Sequence, residues 1–257
     1  MPQVLKTIIL LGRKKGFYQA LKFTLSKKIK IAYIVTDEQM YPKIHALTKK
    51  YHISVSTSDE ILYKRIADKS LSRPDLVISY LFWKKIKMPL ISFGRKGCIN
   101  FHPAPLPDYK GRAGYNTAIL DKRNQYGVSA HIIDSEKLDA GPIIRVDRFP
   151  IDPEQENAHS LEQKSQKHLL SLFKDVLSLY IAGTSIHTTS NTKGIFLDKK
   201  GLEALKAVSL DKESPDAIHR KIRAFFFPPY RGATIEIKGV IYTLIDDEIL
   251  AYIHTFL

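Results

Sequence analysis

The first half of the chain alternates short apolar runs with amphipathic stretches. The apolar runs predict strands at residues 7–12, 30–36, 53–55, 74–80 and 97–102. The stretches between them predict helices at 16–26 and 42–50, and a third helix that begins after a capping Ser58. Strands that alternate with helices in this way form an open parallel sheet with helices on its faces. The predicted fold class is therefore α/β, with a Rossmann-like and mostly parallel sheet.

The second half begins with two more apolar runs, at 127–134 and 141–146, which predict strands joined by a turn, and continues with a long amphipathic helix at 156–181. After Gly183 the segments become short, polar and rich in loops, so we divide the chain into a main domain, 1–183, and a C-terminal extension, 184–257. Residues 233–257 predict a β-hairpin or small meander that turns at Lys238-Gly239. The apolar positions of this hairpin offer a surface on which two copies of the chain can form a homodimer.

Composition narrows the class of protein. Of the 257 residues, 44% are hydrophobic and 26% are charged, as in ordinary globular proteins. No apolar run approaches the roughly 20 residues that a membrane-spanning helix needs, and the N-terminus lacks the features of a secretory signal. We therefore expect no membrane insertion. The single cysteine, Cys98, excludes an internal disulfide and suits a reducing cytoplasm, the expected location. No metal-ligand spacing is visible, so no metal is expected.

The net charge of +14 has two interpretations. A basic surface attracts phosphates, polyglutamate tails, nucleic acid or anionic lipid. Alternatively, lysines that are scattered along the chain, as they are here, only keep the protein soluble. No helix-turn-helix, zinc or RNA-recognition pattern is visible, so nucleic acid is not the expected partner.

Two polar side chains and a proline-rich loop stand out at the end of the strand predicted at 97–102. Because side chains alternate along a strand, Asn100 and His102 lie on the same face at its C-terminal end, where ligands bind in open α/β sheets. The prolines that follow cannot extend the strand, and they stiffen the loop. An amide beside an imidazole supplies one group to stabilise an oxyanion and one to move a proton.

A carboxylate can join this pair from a second place in the sequence. Asp139 lies in the segment Leu-Asp-Ala-Gly-Pro at 138–142, which predicts a tight turn. Taken alone, an Asp in a turn or an Asn-x-His near a strand end is more often structural than catalytic. Their combination makes a catalytic interpretation stronger than either signal alone.

These motifs together resemble those of the folate-dependent formyltransferases, which include glycinamide ribonucleotide, methionyl-tRNA and nucleotide-sugar N-formyltransferases. The resemblance covers most of residues 70–150, with weaker agreement from residue 5 onward. The segments that carry it are Pro74-Asp75-Leu76-Val77-Ile78, Asn100-x-His102-Pro103, Leu106-Pro107-x-Tyr109-Lys110-Gly111, Gly127-Val128 and Asp139-Ala140-Gly141-Pro142-Ile143-Ile144.

The resemblance implies a formyl donor, N10-formyltetrahydrofolate, and a catalytic trio of Asn100, His102 and Asp139. A neutral amine attacks the formyl carbon, while Asn100 and an imidazolium His102 stabilise the developing oxyanion. His102 also accepts the proton of the amine. Asp139 orients the imidazole and helps a proton reach the departing nitrogen of the folate.

The resemblance also implies a pterin pocket between two loops, 82–86 and 135–139. Its expected cofactor-binding residues are Phe82, Trp83, Lys84, Ile86, Ser135, Glu136 and Asp139. Simple core packing is the alternative for Phe82 and Trp83. Lys137 departs from the family, where an acidic or small residue is frequent.

The acceptor is judged from the rest of the chain. A tRNA-modifying relative carries a C-terminal β-barrel of about 100 residues, and a purine-pathway relative ends soon after the long helix. The intermediate length resembles nucleotide-sugar N-formyltransferases, which act on amino-dideoxy sugars for surface polysaccharides such as the lipopolysaccharide O-antigen. The favoured acceptor is a 4-amino-4,6-dideoxyhexose on dTDP or GDP. The alternatives are another amine, such as methionyl-tRNA, and a non-catalytic folate- or nucleotide-binding protein.

An aromatic and proline-rich segment at 222–233 resembles one that follows the catalytic domain of sugar formyltransferases. Its rings can cover a nucleobase, and Arg223 or Arg231 can pair with a diphosphate. The alternative is that the phenylalanines at 225–227 anchor the tail to the core. Near the catalytic strand, Tyr115 and Asn116 face the sugar or only cap a helix. The full set of expected acceptor contacts is Tyr109, Lys110, Tyr115, Asn116, Arg223, Phe227 and Tyr230.

Overall fold

A computed structural model describes residues 5–112 and 114–255, and it confirms the α/β fold. The strands are β1 (Thr7–Gly12), β2 (Lys30–Thr36), β3 (Val55–Ser56), β4 (Leu76–Tyr80), β5 (Cys98–His102), β6 (Tyr109–Gly111), β7 (Gln125–Ile132), β8 (Ile143–Pro150), β9 (Ile195–Leu197), β10 (Thr234–Ile237) and β11 (Val240–Thr243). The helices are α1 (Lys14–Ser26), α2 (Tyr41–Lys49), α3 (Asp59–Ala67), α4 (Gly114–Leu120), α5 (Ala158–Ala182), α6 (Lys199–Ala204), α7 (Pro215–Phe225) and α8 (Asp247–His254).

Seven strands form the main sheet in the order β3-β2-β1-β4-β5-β7-β8. The first five run parallel, whereas β7 and β8 are antiparallel to their neighbours. The central strands β1 and β4 are buried on both faces, which explains why they are continuous apolar runs in the sequence. Because β1, β4 and β5 are parallel neighbours, their carboxyl ends meet at one edge of the sheet.

Helices cover both faces of this sheet. The larger apolar cluster joins one face to α1 and α5, and it includes Phe17, Phe101 and Phe173. A smaller cluster on the opposite face includes Leu62 of α3 and Leu90. The sheet is thus packed between helices on both faces, and this packing fixes the position of its carboxyl edge.

Helix α5 has both of its ends defined by the sequence. Asn157 and Ser160 form a reciprocal capping box at its start. Gly183 ends the helix in the left-handed conformation, with φ 68°. The long amphipathic helix predicted at 156–181 is therefore present at nearly the predicted positions.

The C-terminal hairpin is also present. Strands β10 and β11 pair in antiparallel register, and Lys238 and Gly239 turn between them with φ 50° and 79°. The following residues form α8, capped by Asp246, a helix that the sequence pattern did not predict. Three residues of the C-terminal extension, Val208, Phe225 and Ile249, belong to the larger apolar cluster. The division of the chain at residue 183 stays a prediction.

No helix within residues 5–112 and 114–255 has both the length and the apolar character needed to cross a membrane.

Candidate active site

The structure brings the three expected catalytic side chains together at the carboxyl edge of the sheet. Asn100 and His102 come from the end of β5, and Asp139 comes from the turn between β7 and β8. Asp139 Oδ1 lies 3.5 Å from His102 Nδ1 and 3.5 Å from Asn100 Nδ2. The spatial prediction made for these residues therefore holds, while their roles in catalysis stay a prediction.

The Asp139 turn is unusually constrained. Asp139 adopts a left-handed backbone conformation, with φ 49°, which is uncommon for residues other than glycine but is more accessible to aspartate than to most. A Cβ at Gly141 would lie 2.0 Å from the carbonyl oxygen of Ile132, so only glycine fits there. The carboxylate is anchored at its other oxygen, because the backbone N–H of Gly111 donates to Asp139 Oδ2 at 2.9 Å.

His131 is a fourth member of this group that the sequence analysis did not identify. It pairs directly opposite Asn100 in the antiparallel register of β5 and β7. Its Nε2 lies 3.1 Å from Asn100 Nδ2 and 3.4 Å from Asp139 Oδ1. The register of β5 against β7 was the missing information, because the sequence does not show which residue of β7 faces Asn100.

Electrostatics keep the carboxylate of Asp139 ionised. Burial alone would raise the pKa of Asp139, but His102, His131 and the N–H of Gly111 outweigh it and hold the pKa well below its usual range. Burial lowers the pKa of His102, against the opposing effects of Asp139 and of its hydrogen bond to Tyr109. The lowered pKa favours the neutral ring of His102, which is the form able to accept a proton; the expected imidazolium stays a prediction.

A cleft of about 650 Å³ opens above these residues. Every residue expected to bind the pterin lines this cleft. These residues are Phe82, Trp83, Lys84, Ile86, Ser135, Glu136 and Asp139. The rings of Phe82 and Trp83 lie 4.7 Å apart. A surface ion pair of 3.3 Å between Lys85 and Glu136 connects the two loops across the cleft.

The expected acceptor residues divide into two groups. Tyr230 lines the cleft and is 65% exposed. Phe227 lies beside it, with ring centroids 5.9 Å apart, and Tyr115 stacks on Phe227 at 6.5 Å. These three rings are in contact with one another, and Tyr230 is the one of the three that lines the cleft.

The other four expected acceptor residues are engaged elsewhere. The phenol of Tyr109 bonds Asp121, and Lys110 Nζ donates to the carbonyl of Asn191 at 2.7 Å. Asn116 Nδ2 donates to the carbonyl of Ala224 at 2.5 Å, which connects α4 to α7. Arg223 is buried and forms ion pairs with Glu154 and Glu248, so the geometry does not bring it to the cleft.

Two cations in the cleft were not identified from the sequence. Arg13, at the end of β1, and Arg112 both line it. Arg13 Nε donates to the carbonyl of Leu81 at 3.1 Å. The position of Arg13 after an apolar strand was a usable signal, because the carboxyl ends of parallel strands meet at the ligand-binding edge.

Comparisons with known proteins agree with this geometry. The family model described as formyl transferase matches residues 2–177. The chain therefore belongs to the formyl transferase family, and the expected class of enzyme, an N-formyltransferase, is confirmed.

Individual relatives differ in their acceptors. Methionyl-tRNA formyltransferase of Wolbachia sp. subsp. Drosophila simulans (strain wRi) is 25% identical over 254 residues, which is 95% of this chain and 82% of that protein. GDP-perosamine N-formyltransferase of Brucella melitensis biotype 1 is 28% identical over 178 residues, which is 66% of this chain and 63% of that protein. The match thus spans less than two thirds of the Brucella protein's length.

A solved structure shares the fold over nearly the whole chain. It is the N-formyltransferase from Helicobacter canadensis in complex with folinic acid and dTDP-3-aminofucose. The TM-score is 0.71 at 20% identity, and the match covers 91% of this chain and 85% of that one.

Proposed function

We propose that this chain transfers a formyl group from N10-formyltetrahydrofolate to the amino group of a nucleotide-linked amino-dideoxy sugar, with a 4-amino-4,6-dideoxyhexose favoured. The observation that carries the formyl transfer is the convergence of Asn100, His102 and Asp139 at the floor of one cleft. The choice of acceptor depends on the walls of that cleft.

The hydrogen bonds of His102 indicate which of its two ring nitrogens carries the hydrogen. Its Nε2 lies 3.0 Å from the carbonyl oxygen of Tyr109, and a carbonyl only accepts, so Nε2 carries the hydrogen. In the neutral ring, Nδ1 is then the basic nitrogen. It takes the proton of the acceptor amine, and the resulting imidazolium is stabilised by Asp139 Oδ1 at 3.5 Å.

Asn100 supplies the complementary charge stabilisation. Its Nδ2 lies 3.5 Å from Asp139 Oδ1, a carboxylate oxygen that only accepts. This contact fixes which end of the amide is the donor. A donor held in this way can stabilise the negative charge that develops on the formyl oxygen.

The atoms of the proposed reaction balance without any further reagent. A bond forms between the acceptor nitrogen and the formyl carbon, and the bond between that carbon and N10 of the folate breaks. The acceptor nitrogen loses one proton to His102, and His102 passes that proton to N10, which returns the ring to its neutral form. Asp139 stays ionised throughout and compensates the charge of the imidazolium.

One side of the cleft, the donor wall, supports a flat heterocyclic ligand. We define it by Phe82, Trp83, Ser135 and Glu136. Adjacent aromatic rings and a loop with polar backbone groups suit a pterin, which has an aromatic face and a hydrogen-bonding edge. The Helicobacter canadensis structure contains folinic acid, which supports the same class of donor here.

Another part of the cleft, the acceptor wall, supports a nucleotide. We define it by Arg13 and Tyr230, which line the cleft, and by Phe227, whose ring lies beside that of Tyr230. Within residues 5–112 and 114–255, Arg13 forms no ion pair with a carboxylate, so its guanidinium is available to a phosphate. The exposed ring of Tyr230 can stack on a base. A sugar held between base and trio would present its amine to His102.

A second candidate acceptor, methionyl-tRNA, is favoured by the net charge of +14 and by the Wolbachia relative. A non-catalytic folate-binding protein is disfavoured by the assembled trio, whose charged Asp139 such a protein would not need.

The test is a mass measurement of acceptors incubated with N10-formyltetrahydrofolate. The panel contains dTDP- and GDP-linked 4-amino- and 3-amino-dideoxyhexoses, with methionyl-tRNA as a separate arm and His102→Ala as the control protein. We expect one sugar to gain a single formyl mass with the wild-type protein only. Formylation of methionyl-tRNA but of none of the sugars would contradict the proposal.

The wider setting follows from the class of acceptor. We propose that the reaction serves surface polysaccharide synthesis, including lipopolysaccharide O-antigen, and takes place in the cytoplasm. We also propose a homodimer formed through the hairpin, whose Ile237, Val240, Ile241 and Tyr242 are each about half exposed. Sedimentation of the wild type against Ile241→Lys tests this pairing.

A further inference from the structure

The turn that carries Asp139 is held by a side chain from beyond α5. Asn191 is buried, and its Nδ2 donates to the carbonyl oxygens of Asp139 and Gly141 at 2.8 Å each. Because both neighbours are carbonyl oxygens, which only accept, the NH2 end of the Asn191 amide must face the turn. One donor group therefore binds both carbonyls of the tight turn.

Asn191 lies in a short segment, residues 189–197, which we call the brace. The brace is held in place at both of its ends. At one end, Thr189 and Ile143 exchange two backbone hydrogen bonds of 2.8 and 2.9 Å. At the other end, β9 pairs in parallel with β6. Gly194 lies so close to the loop after β5 that a Cβ there would be 1.6 Å from the carbonyl oxygen of Pro107.

The brace also contacts the second anchor of the carboxylate. Strand β6 ends at Gly111, whose N–H binds Asp139 Oδ2. Its neighbour Lys110 donates from Nζ to the backbone carbonyl of Asn191. Thus the brace fixes both the backbone of Asp139 and the strand that binds its carboxylate.

We propose that Asn191 is a positioning residue that holds Asp139 in its left-handed conformation and thereby fixes the carboxylate beside His102 and His131. This inference rests on the proposed function for the role of the trio. Asn191 donates to the carbonyl of Asp139 itself and to that of Gly141, and these two hydrogen bonds stabilise the turn in the conformation that directs the carboxylate towards His102.

A second observation supports a role in positioning. Within the part of the chain that the structure describes, Asn191 Oδ1 is buried without a hydrogen-bond partner. A buried amide with an unsatisfied oxygen is unfavourable by itself, so its burial is explained by the two bonds that its nitrogen makes to the turn.

The first experiment compares steady-state kinetics of Asn191→Ala with those of Thr192→Ala, an exposed neighbour. We expect Asn191→Ala to lower kcat by about 10- to 100-fold, because small displacements of catalytic groups have effects of that size. The KM values for folate and acceptor should change little, since Asn191 lines neither wall. Thr192→Ala should match the wild type.

The second experiment does not depend on turnover. NMR titration measures the pKa of His102, which depends on the distance between its ring and the Asp139 carboxylate. The His102 signal is assigned by its absence from the spectrum of His102→Ala. The groups that face His102 are Asp139, which raises its pKa, His131, which lowers it, and the carbonyl of Tyr109. If the carboxylate moves away in Asn191→Ala, the pKa of His102 falls below its wild-type value. Thr192→Ala should leave the titration unchanged.

The outcomes separate this inference from the proposed function. An inactive wild type would refute the function, while the His102 titration would still test Asn191. A lowered Tm with unchanged kcat and unchanged titration would show a merely structural role and overturn the inference. If Asn191→Ala does not fold, Asn191→Leu fills the site without a donor, and the same two readouts decide.

Discussion

The floor of the cleft and the acceptor wall differ in how their side chains are held. At the floor, His102 and His131 are buried, and each bonds a backbone carbonyl. On the acceptor wall, Tyr230 is 65% exposed and Phe227 contacts mainly other rings. Under the proposed function, the reaction is therefore assigned to the rigidly held floor, and the choice of acceptor to side chains that can change without disturbing the core.

The largest effect on kcat is expected from substitutions at the floor of the cleft. His102→Ala or Asp139→Ala should lower kcat by about 10³-fold or more, because His102 carries the transferred proton and Asp139 compensates the charge of the imidazolium. Tm should fall only slightly, since neither side chain belongs to the apolar clusters. Steady-state kinetics with circular dichroism checks this, and near-wild-type turnover by either variant would refute the assigned roles.

Removing the cation of the acceptor wall should act on binding instead. Arg13→Ala should raise the acceptor KM by about 10- to 100-fold, as expected for loss of a charged hydrogen bond, and leave the folate KM nearly unchanged. Initial rates at varied concentrations of each substrate give both constants. An equal rise in both would show that Arg13 does not distinguish the two walls.

The aromatic part of the same wall should contribute less. Phe227→Ala should raise the acceptor KM by about 10-fold, the order of one stacking contact with a base. Phe82→Ala, on the donor wall, is the matched control and should raise the folate KM instead. Identical patterns for the two variants would remove the distinction between donor wall and acceptor wall.

The pH dependence tests the neutral state of His102. A base works when it is unprotonated, so kcat/KM should fall as the pH drops through the pKa of His102. Burial lowers that pKa from its ordinary value of 6.5, so the acidic limb should lie below pH 6.5. Asp139 should add no limb in this range because its pKa is far lower. A limb above pH 6.5 would favour the imidazolium.

The smallest effect is expected at Arg223, which the sequence suggested as a diphosphate ligand. Its ion pairs with Glu154 and Glu248 predict that Arg223→Ala lowers Tm by a few degrees, on the order of 1 kcal/mol, without changing the acceptor KM. Thermal melts and kinetics together decide this. A raised acceptor KM at unchanged Tm would place Arg223 in the acceptor site after all.

The parts that were predictable from sequence depend on local patterns. Buried strands such as β1 and β4 are continuous apolar runs, and α5 has an explicit cap at each end. Asn100, His102 and Asp139 were proposed because two of them share one strand face, the third lies in a predicted turn, and the motifs around all three resemble those of the formyltransferases.

What could not be predicted depends on long-range pairing. His131 faces Asn100 only through the register of two antiparallel strands, and β9 reaches β6 across more than 80 residues of chain. Arg223 lies in a stretch that resembles a ligand-binding segment, but packing against α8 and residues 153–154 uses its guanidinium. Local sequence carries no signal for such contacts.

The pairing of β6 with β9 has a consequence for how the chain may be shortened. A truncated protein that stops at Gly183 would retain every residue of the main sheet and all three members of the trio. It would nevertheless lack the segment that encloses the Asp139 turn from the outside. If Asn191 positions Asp139 as proposed, a fragment that stops before this segment has a lower kcat than the whole chain, although its main sheet is complete.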